Sequence, residues 1–277
     1  MPLENDDSEA LLSDVLRCSI GTPPVCDRDT LAREEPLEIR VRGRSVAVTM
    51  RTPGHDRELA AGFLLTEGLI QSCLDVIEIA PCLESAAPKN TLNVFLSPSI
   101  QIDFERMSRH AFASSSCGLC GKASIESVHQ HFAPLESGLK LPAVMLTALP
   151  GRLSAAQQTF ARTGGLHAAA VFDAAGQLVV LREDVGRHNA VDKVLGHGLL
   201  ENKLPFDAHI LLVSGRASFE IMQKALAGRI PIVCAISAPS SLAVEFARQS
   251  GQTLVGFLRD QRMNIYSCPE RLALSSL

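Results

Sequence analysis

Cys117-Gly118-Leu119-Cys120 is the one Cys-x-x-Cys in a chain of 277 residues and eight cysteines. Two thiols at this spacing can grip a metal, cycle as a disulfide, or carry sulfur as a persulfide. Structural zinc needs four ligands, and the set within reach is Cys117, Cys120, His129 and His131. In a helix over Lys122–Phe132, residues two apart project to nearly opposite faces, so the two histidines do not serve one ion. A zinc deaminase carries H-x-E followed by P-C-x-x-C. Here Ser116 precedes Cys117, and His167-Ala168-Ala169 lacks the glutamate. A thioredoxin-type pair would follow an early strand of a short domain. This pair lies mid-chain among Ser114, Ser115, Ser116 and Gly121, as expected of a mobile loop. A persulfide carrier needs an accessible thiolate beside a positive charge or a helix start. Lys122 and the helix expected after it offer both. A zinc-bearing nucleotide-cofactor chaperone without sulfur transfer is the alternative, and a pair with no chemistry is the bland one. Cys18, Cys26, Cys73, Cys82, Cys234 and Cys268 are scattered, and read as small buried hydrophobes or bystanders.

A second set of polar residues falls where strands should give way to helices. Glu183-Asp184-Val185-Gly186-Arg187-His188-Asn189 is one such junction, Ser214-Gly215-Arg216-Ala217-Ser218 the next, and Ser237-Ala238-Pro239-Ser240-Ser241 the third. The last strand runs into Phe257-Leu258-Arg259-Asp260-Gln261-Arg262. In an open α/β sheet such junctions gather at one edge, where ligands bind and helix N-termini offer free N–H groups. Arg187, Arg216, Arg259 and Arg262 suit phosphate oxygens. Gly186, Gly215, Ser214 and Ser237 allow close approach, and His188 near a helix start is a further phosphate candidate. The chemistry expected is binding of a phosphate-bearing, nucleotide-like ligand. Ordinary helix capping by Asp184 or Ser218 is the plain alternative.

The elements that must position these residues read as follows. Residues 1–22 look like a flexible acidic tail. Leu37–Met50 reads as a hairpin turning at Arg42-Gly43-Arg44, Asp56–Glu67 as a helix, and Val76–Ile79 and Leu92–Leu96 as strands. Residues 23–110 are thus expected to form a small α+β domain. Residues 111–277 are expected to form an α/β domain with the cysteine loop near its start. From Leu166 onward strands alternate with helices, which predicts a mainly parallel sheet covered by helices. A net charge of -4 argues against a nucleic-acid polymer as partner. The N-terminal residues lack the pattern of a secretory signal, and no apolar run approaches the ~20 residues of a membrane span. A cytoplasmic protein is expected.

Taken together, these motifs resemble the FdhD/NarQ family, accessory sulfurtransferases required for active formate dehydrogenase. The likeness runs from about Pro36 to Tyr266. It is carried by Cys117-Gly118-Leu119-Cys120-Gly121, Thr163-Gly164-Gly165-Leu166-His167-Ala168-Ala169, the segment from Glu183 to Lys193, Ser214-Gly215-Arg216-Ala217-Ser218-Phe219-Glu220, and Leu254-Val255-Gly256-Phe257. The resemblance implies a persulfide on Cys117, with Cys120 as its partner. Sulfur would come from a cysteine desulfurase. It would pass to the molybdenum (or tungsten) bis(molybdopterin guanine dinucleotide) cofactor before insertion into formate dehydrogenase. Such a protein is a sulfur carrier rather than a multiple-turnover enzyme, and it holds no permanent metal. The resemblance also implies that Phe257, Leu258, Arg259, Asp260, Gln261 and Arg262 bind the cofactor, that the C-terminal part is cytidine-deaminase-like, and that the protein is a homodimer. Asp260 stands where many relatives have Gly or Pro, and its carboxylate would either repel a phosphate or read a guanine edge.

Overall fold

Leu37, Ile39 and Val41 are fully buried while Glu38 and Arg40 between them are not. That alternation is what one buried face demands of a strand. In the computed structural model, which describes residues 9–102, 104 and 131–274, strand β3 (Glu35–Val41) pairs with β4 (Arg44–Arg51). Arg42 and Gly43 both take positive φ, as a two-residue hairpin turn requires. Strands β5 (Val76–Pro81) and β6 (Thr91–Leu96) complete a four-stranded sheet in the order β4-β3-β6-β5. Helix α1 (Asp56–Thr66) lies between β4 and β5 in sequence, and Gly68 ends it with φ 74°.

Residues 10–19, within the expected tail, form β1 (Ala10–Ser19), paired antiparallel with β2 (Thr22–Ala32). The hairpin's apolar residues Leu12, Leu16, Ile20 and Val25 are exposed, and Ala10 at its root is buried.

The larger sheet contains β8 (His167–Phe172), β9 (Leu178–Asp184), β10 (Ile210–Val213), β11 (Ile232–Ala235), β12 (Thr253–Arg259) and β13 (Arg262–Ser267). Their order is β13-β12-β11-β10-β8-β9. The expectation of a mainly parallel sheet is corrected here. Only β10–β11 and β11–β12 pair in parallel, and the other three pairings are antiparallel. The cause is a hairpin, β8 turning through Asp173–Gln177 into β9, inserted beside β10. Even so, β9, β10, β11 and β12 share one direction.

Both faces of the sheet are buried, which is why its central strands read as unbroken apolar runs. On one face Ala169, Val171, Leu211, Val213, Val233 and Ala235 join a core with α1 and three further helices. These are α4 (Arg187–Leu200), α5 (Phe219–Ala227) and α6 (Ser241–Gln249). On the other, Ala170, Phe172, Leu212 and Cys234 pack with Leu149 and Leu153 of α2 (Leu149–Ala156). Helix α3 (Gln158–Thr163) then leads into β8. The short strands β7 (Leu141–Pro142) and β14 (Leu272–Ala273) pair with each other. The first core also holds Leu37, Ile39, Leu59 and Val94, so it runs without a break across the boundary expected near residue 110. Among the described residues no helix is long and apolar enough to cross a membrane.

Candidate functional site

The topology brings the C-terminal ends of β9, β10, β11 and β12 to one edge of the large sheet. Because β8 and β13 run the other way, their N-terminal residues His167 and Arg262 arrive at the same edge. The four polar junctions of the sequence are thus gathered as expected of an α/β ligand edge.

At the β9–α4 junction the structure gives Asp184 a structural task. Its carboxylate is fully buried and pairs with the Lys193 ammonium at 2.8 Å, itself 1% exposed. It also accepts N–H bonds from Gly186 (2.8 Å) and Thr52 (3.2 Å), and one from the Asn189 amide (3.0 Å). Lys193 donates onward to the Thr52 carbonyl at 2.9 Å. A buried charge is tolerated only when paired and bonded in this way. Asp184 therefore fixes where α4 begins, and with it the position of Arg187. The Arg187 Nε is buried and has no hydrogen-bond partner among the described residues.

His188, the next residue, faces α5. Its Nε2 lies 3.3 Å from Ser218 Oγ and 4.0 Å from a Glu220 carboxylate oxygen. Burial, then the charges of Lys224 and Arg187, push its pKa down to about 4, with Glu220 opposing. It is a neutral bridge between two helix starts.

At the β10–α5 junction Ser214 Oγ accepts from the Ala168 N–H at 2.9 Å, extending the β8–β10 ladder by one rung. Gly215 follows. A Cβ built there would lie 3.4 Å from His167 Nδ1 and 3.7 Å from Arg187 Cδ, so the bare glycine leaves room between them. Arg216 is exposed. Burial lowers the His167 pKa first, then the charge of Arg187, with Asp184 opposing and Arg216 adding least. His167 belongs to none of the four polar junctions that the sequence places at strand ends. Its place at this edge depends on β8 being antiparallel, which periodicity does not reveal.

The last junction is a tight hairpin. Arg259 pairs with Arg262, and both turn residues, Asp260 and Gln261, have positive φ (50° and 59°). Aspartate is among the side chains that tolerate this region. Arg259, Asp260, Gln261 and Arg262 are exposed. Phe257 has φ 52° at an irregularity in the β12–β13 register, and its N–H bonds the Ser237 carbonyl at 3.1 Å. Leu258 is different. Its side chain is fully buried in the core behind the sheet, so it supports the turn without facing the edge.

Cys117 and Cys120 lie outside the described residues, as does His129. Of the remaining cysteines, Cys82 and Cys234 are buried as expected, while Cys18 and Cys26 are exposed on the β1–β2 hairpin. Among the described residues no cluster of His, Cys, Asp and Glu is arranged to hold a metal. A cavity of about 390 Å³ lies between Gly68–Ser72, Asp75 and Ile100, and none of these residues belongs to the sheet edge.

Residues 32–273 match the model of the FdhD/NarQ family. A sulfur carrier protein FdhD from Mycolicibacterium paratuberculosis is 52% identical over 250 residues, covering 88% of this chain and 92% of the relative. The protein of that name from Streptomyces avermitilis is 49% identical over 253 residues, covering 89% and 90%. A crystal structure from Desulfotalea psychrophila, described as a formate dehydrogenase accessory protein, superposes with a TM-score of 0.76 at 27% identity. It covers 96% of this chain and all of the other.

Proposed function

This chain belongs to the FdhD/NarQ family, and on that premise we propose that it is a sulfur carrier serving a formate dehydrogenase. Sulfur arrives from a cysteine desulfurase. The Cys117 thiolate attacks the outer sulfur of the donor's persulfide. One S–S bond forms at Cys117 as the donor's S–S bond breaks, and the donor leaves as a thiolate. The acceptor is a molybdenum bis(molybdopterin guanine dinucleotide) cofactor, held by its phosphates at the sheet edge. Cys120 then attacks the inner sulfur of Cys117, expelling hydrosulfide toward the metal. The two cysteines are left as a disulfide, which a cellular dithiol must reopen before the next cycle.

The observation that carries this reading is the gathering of Arg187, Arg216, Arg259 and Arg262 at one edge of a chain bearing Cys117-Gly118-Leu119-Cys120. Guanidinium groups at such an edge suit phosphate. The family's cytidine-deaminase-like description of the C-terminal part, its homodimeric state and a cytoplasmic setting belong to the same reading.

The test is direct. The protein is incubated with a cysteine desulfurase and cysteine, then digested and weighed by mass spectrometry. The Cys117 peptide gains the mass of one sulfur atom, and Cys117→Ala abolishes the gain. A gain that survives that substitution, or no gain at all, overturns the proposal. Stoichiometric zinc, with unfolding on chelation, would instead favour a zinc-bearing chaperone.

A further inference from the structure

The β1–β2 hairpin is a sheet of two strands, to which no third strand is added among the described residues. A hairpin by itself is marginal in water, and a stable sheet needs three strands or the cover of a helix. The root is secured, since Ala10 is buried and the Arg33 N–H bonds the Glu9 carbonyl at 2.9 Å. Beyond the root, Leu12, Leu16 and Val25 are each more than half exposed. The two outer edges differ. Strand β2 begins Thr22-Pro23-Pro24, and proline has no N–H to offer a further strand. Helix α3 also packs against β2. Strand β1 has no proline from Ala10 to Ser19, and among the described residues no element other than β2 packs against it to that extent. Its outward row of backbone groups is open to pairing.

The charges of the hairpin narrow the choice of partner. Between Ala10 and Ala32 the charged residues are Asp14, Arg17, Asp27, Arg28 and Asp29. Arg17 reaches Asp27 at 2.6 Å and Asp29 at 3.6 Å, and Arg28 reaches Asp14 at 3.8 Å. All five are engaged within the hairpin, so nothing on it selects a partner of opposite charge. An open strand edge of this length is matched by a copy of itself.

We propose that β1 pairs antiparallel with β1 of a second copy, giving a four-stranded sheet in the order β2-β1-β1-β2 about a two-fold axis. This rests on the homodimer of the reading above and names where the two copies meet. Pairing consumes both open edges. It leaves outside only the edges that Pro23 and Pro24 guard, so assembly stops at two. Charge and length fix the register. Facing residues of such a pair lie on one side of the sheet, so the axis passes through a residue. An axis through Asp14 or Arg17 would set like charges directly opposite each other. An axis through Val15 avoids this and uses Leu11 to Ser19 in full. Val15 then faces its own copy, and Leu12 faces Cys18 of the second chain.

The test is a charge exchange across that axis, followed by sedimentation equilibrium on the full chain. Val15→Lys and Val15→Glu each set like charges against one another, and each raises the dimer dissociation constant about tenfold or more. Mixed in equal amounts, the two variants form a heterodimer, because opposite charges then face. That recovery also shows that neither variant lost its fold. A dimer that survives both substitutions, or a mixture that stays monomeric, overturns the strand pairing alone. A wild-type chain that sediments as a monomer overturns the pairing and the homodimer together. Neither substitution touches the cysteine pair or the edge of the large sheet. Sulfur loading of Cys117 in the same variants therefore reports on the carrier reading separately.

Discussion

His188 shows how a single ring can set the acid limit of this protein. In the unfolded chain it titrates near 6.5, and in the fold only near 4, because burial, Lys224, Arg187 and His167 disfavour its proton more than Glu220 favours it. Between those values the unfolded state binds the extra proton. Stability is therefore fully present above about pH 6.5 and lost as pH falls toward 4. With allowance for its partial exposure, the share due to His188 is about 2 kcal/mol. Urea denaturation at pH 7.0 and 4.5 should show His188→Gln losing less stability on acidification than the wild type. An equal loss would refute the assignment. His55, His167 and His209 are shifted in the same direction and add to the slope. At this scale the sequence was partly legible. Arginines and small residues at strand ends identified the edge, because that chemistry is local. The competing roles of Asp184 and His188 depended on partners far along the chain, Thr52 and Ser218, and no local pattern carries those. The same holds for Leu258, which is buried although Arg259 to Arg262 beside it are exposed.

Helices α1 and α4 cross with their backbones in contact. A Cβ on Gly62 would overlap the Asp192 carbonyl, and one on Gly196 would overlap the Glu58 carbonyl. No rotamer relieves such a clash, because the obstacle is main chain. Gly62→Ala and Gly196→Ala should each cost ~3 kcal/mol or more, read as a fall in thermal midpoint or in soluble yield. Gly151→Ala, with nothing within 4 Å, serves as the control and should be close to neutral. Both glycines sit inside helices, where glycine is otherwise unfavourable. Strands β8 to β12 and helices α5 and α6 were recognisable from apolar runs and from the spacing of buried faces. Strand direction was not, since an apolar run reads the same whether its neighbour is parallel or antiparallel. Strand β13 was hidden because its turn, Asp260-Gln261, lacks the glycine that usually announces a two-residue hairpin. The β1–β2 hairpin was obscured by a different cause, the acidic and exposed character of its residues.

The two halves of the molecule share one interior. Beyond the glycine contact, Arg182 on β9 forms a bidentate bridge to Glu58 on α1, with N–O distances of 2.5 and 2.7 Å. Lys224 on α5 donates to Thr66 of α1 at 3.0 Å and to Asp192 of α4 at 2.8 Å. Unfolding should accordingly be a single transition. The chain has no Trp and one Tyr, Tyr266 on β13, so tyrosine fluorescence reports the far side of the large sheet alone. Its denaturant midpoint should coincide with the loss of amide protection in β3 and β6. Separated midpoints would mean two independent domains. The turn between β8 and β9 has a use that follows from sheet direction. Ala174 and Ala175 are exposed at the end of the sheet opposite His167. An affinity handle spliced between them would tether the protein by its back, leaving the strand ends that gather the four arginines turned toward the bulk solution.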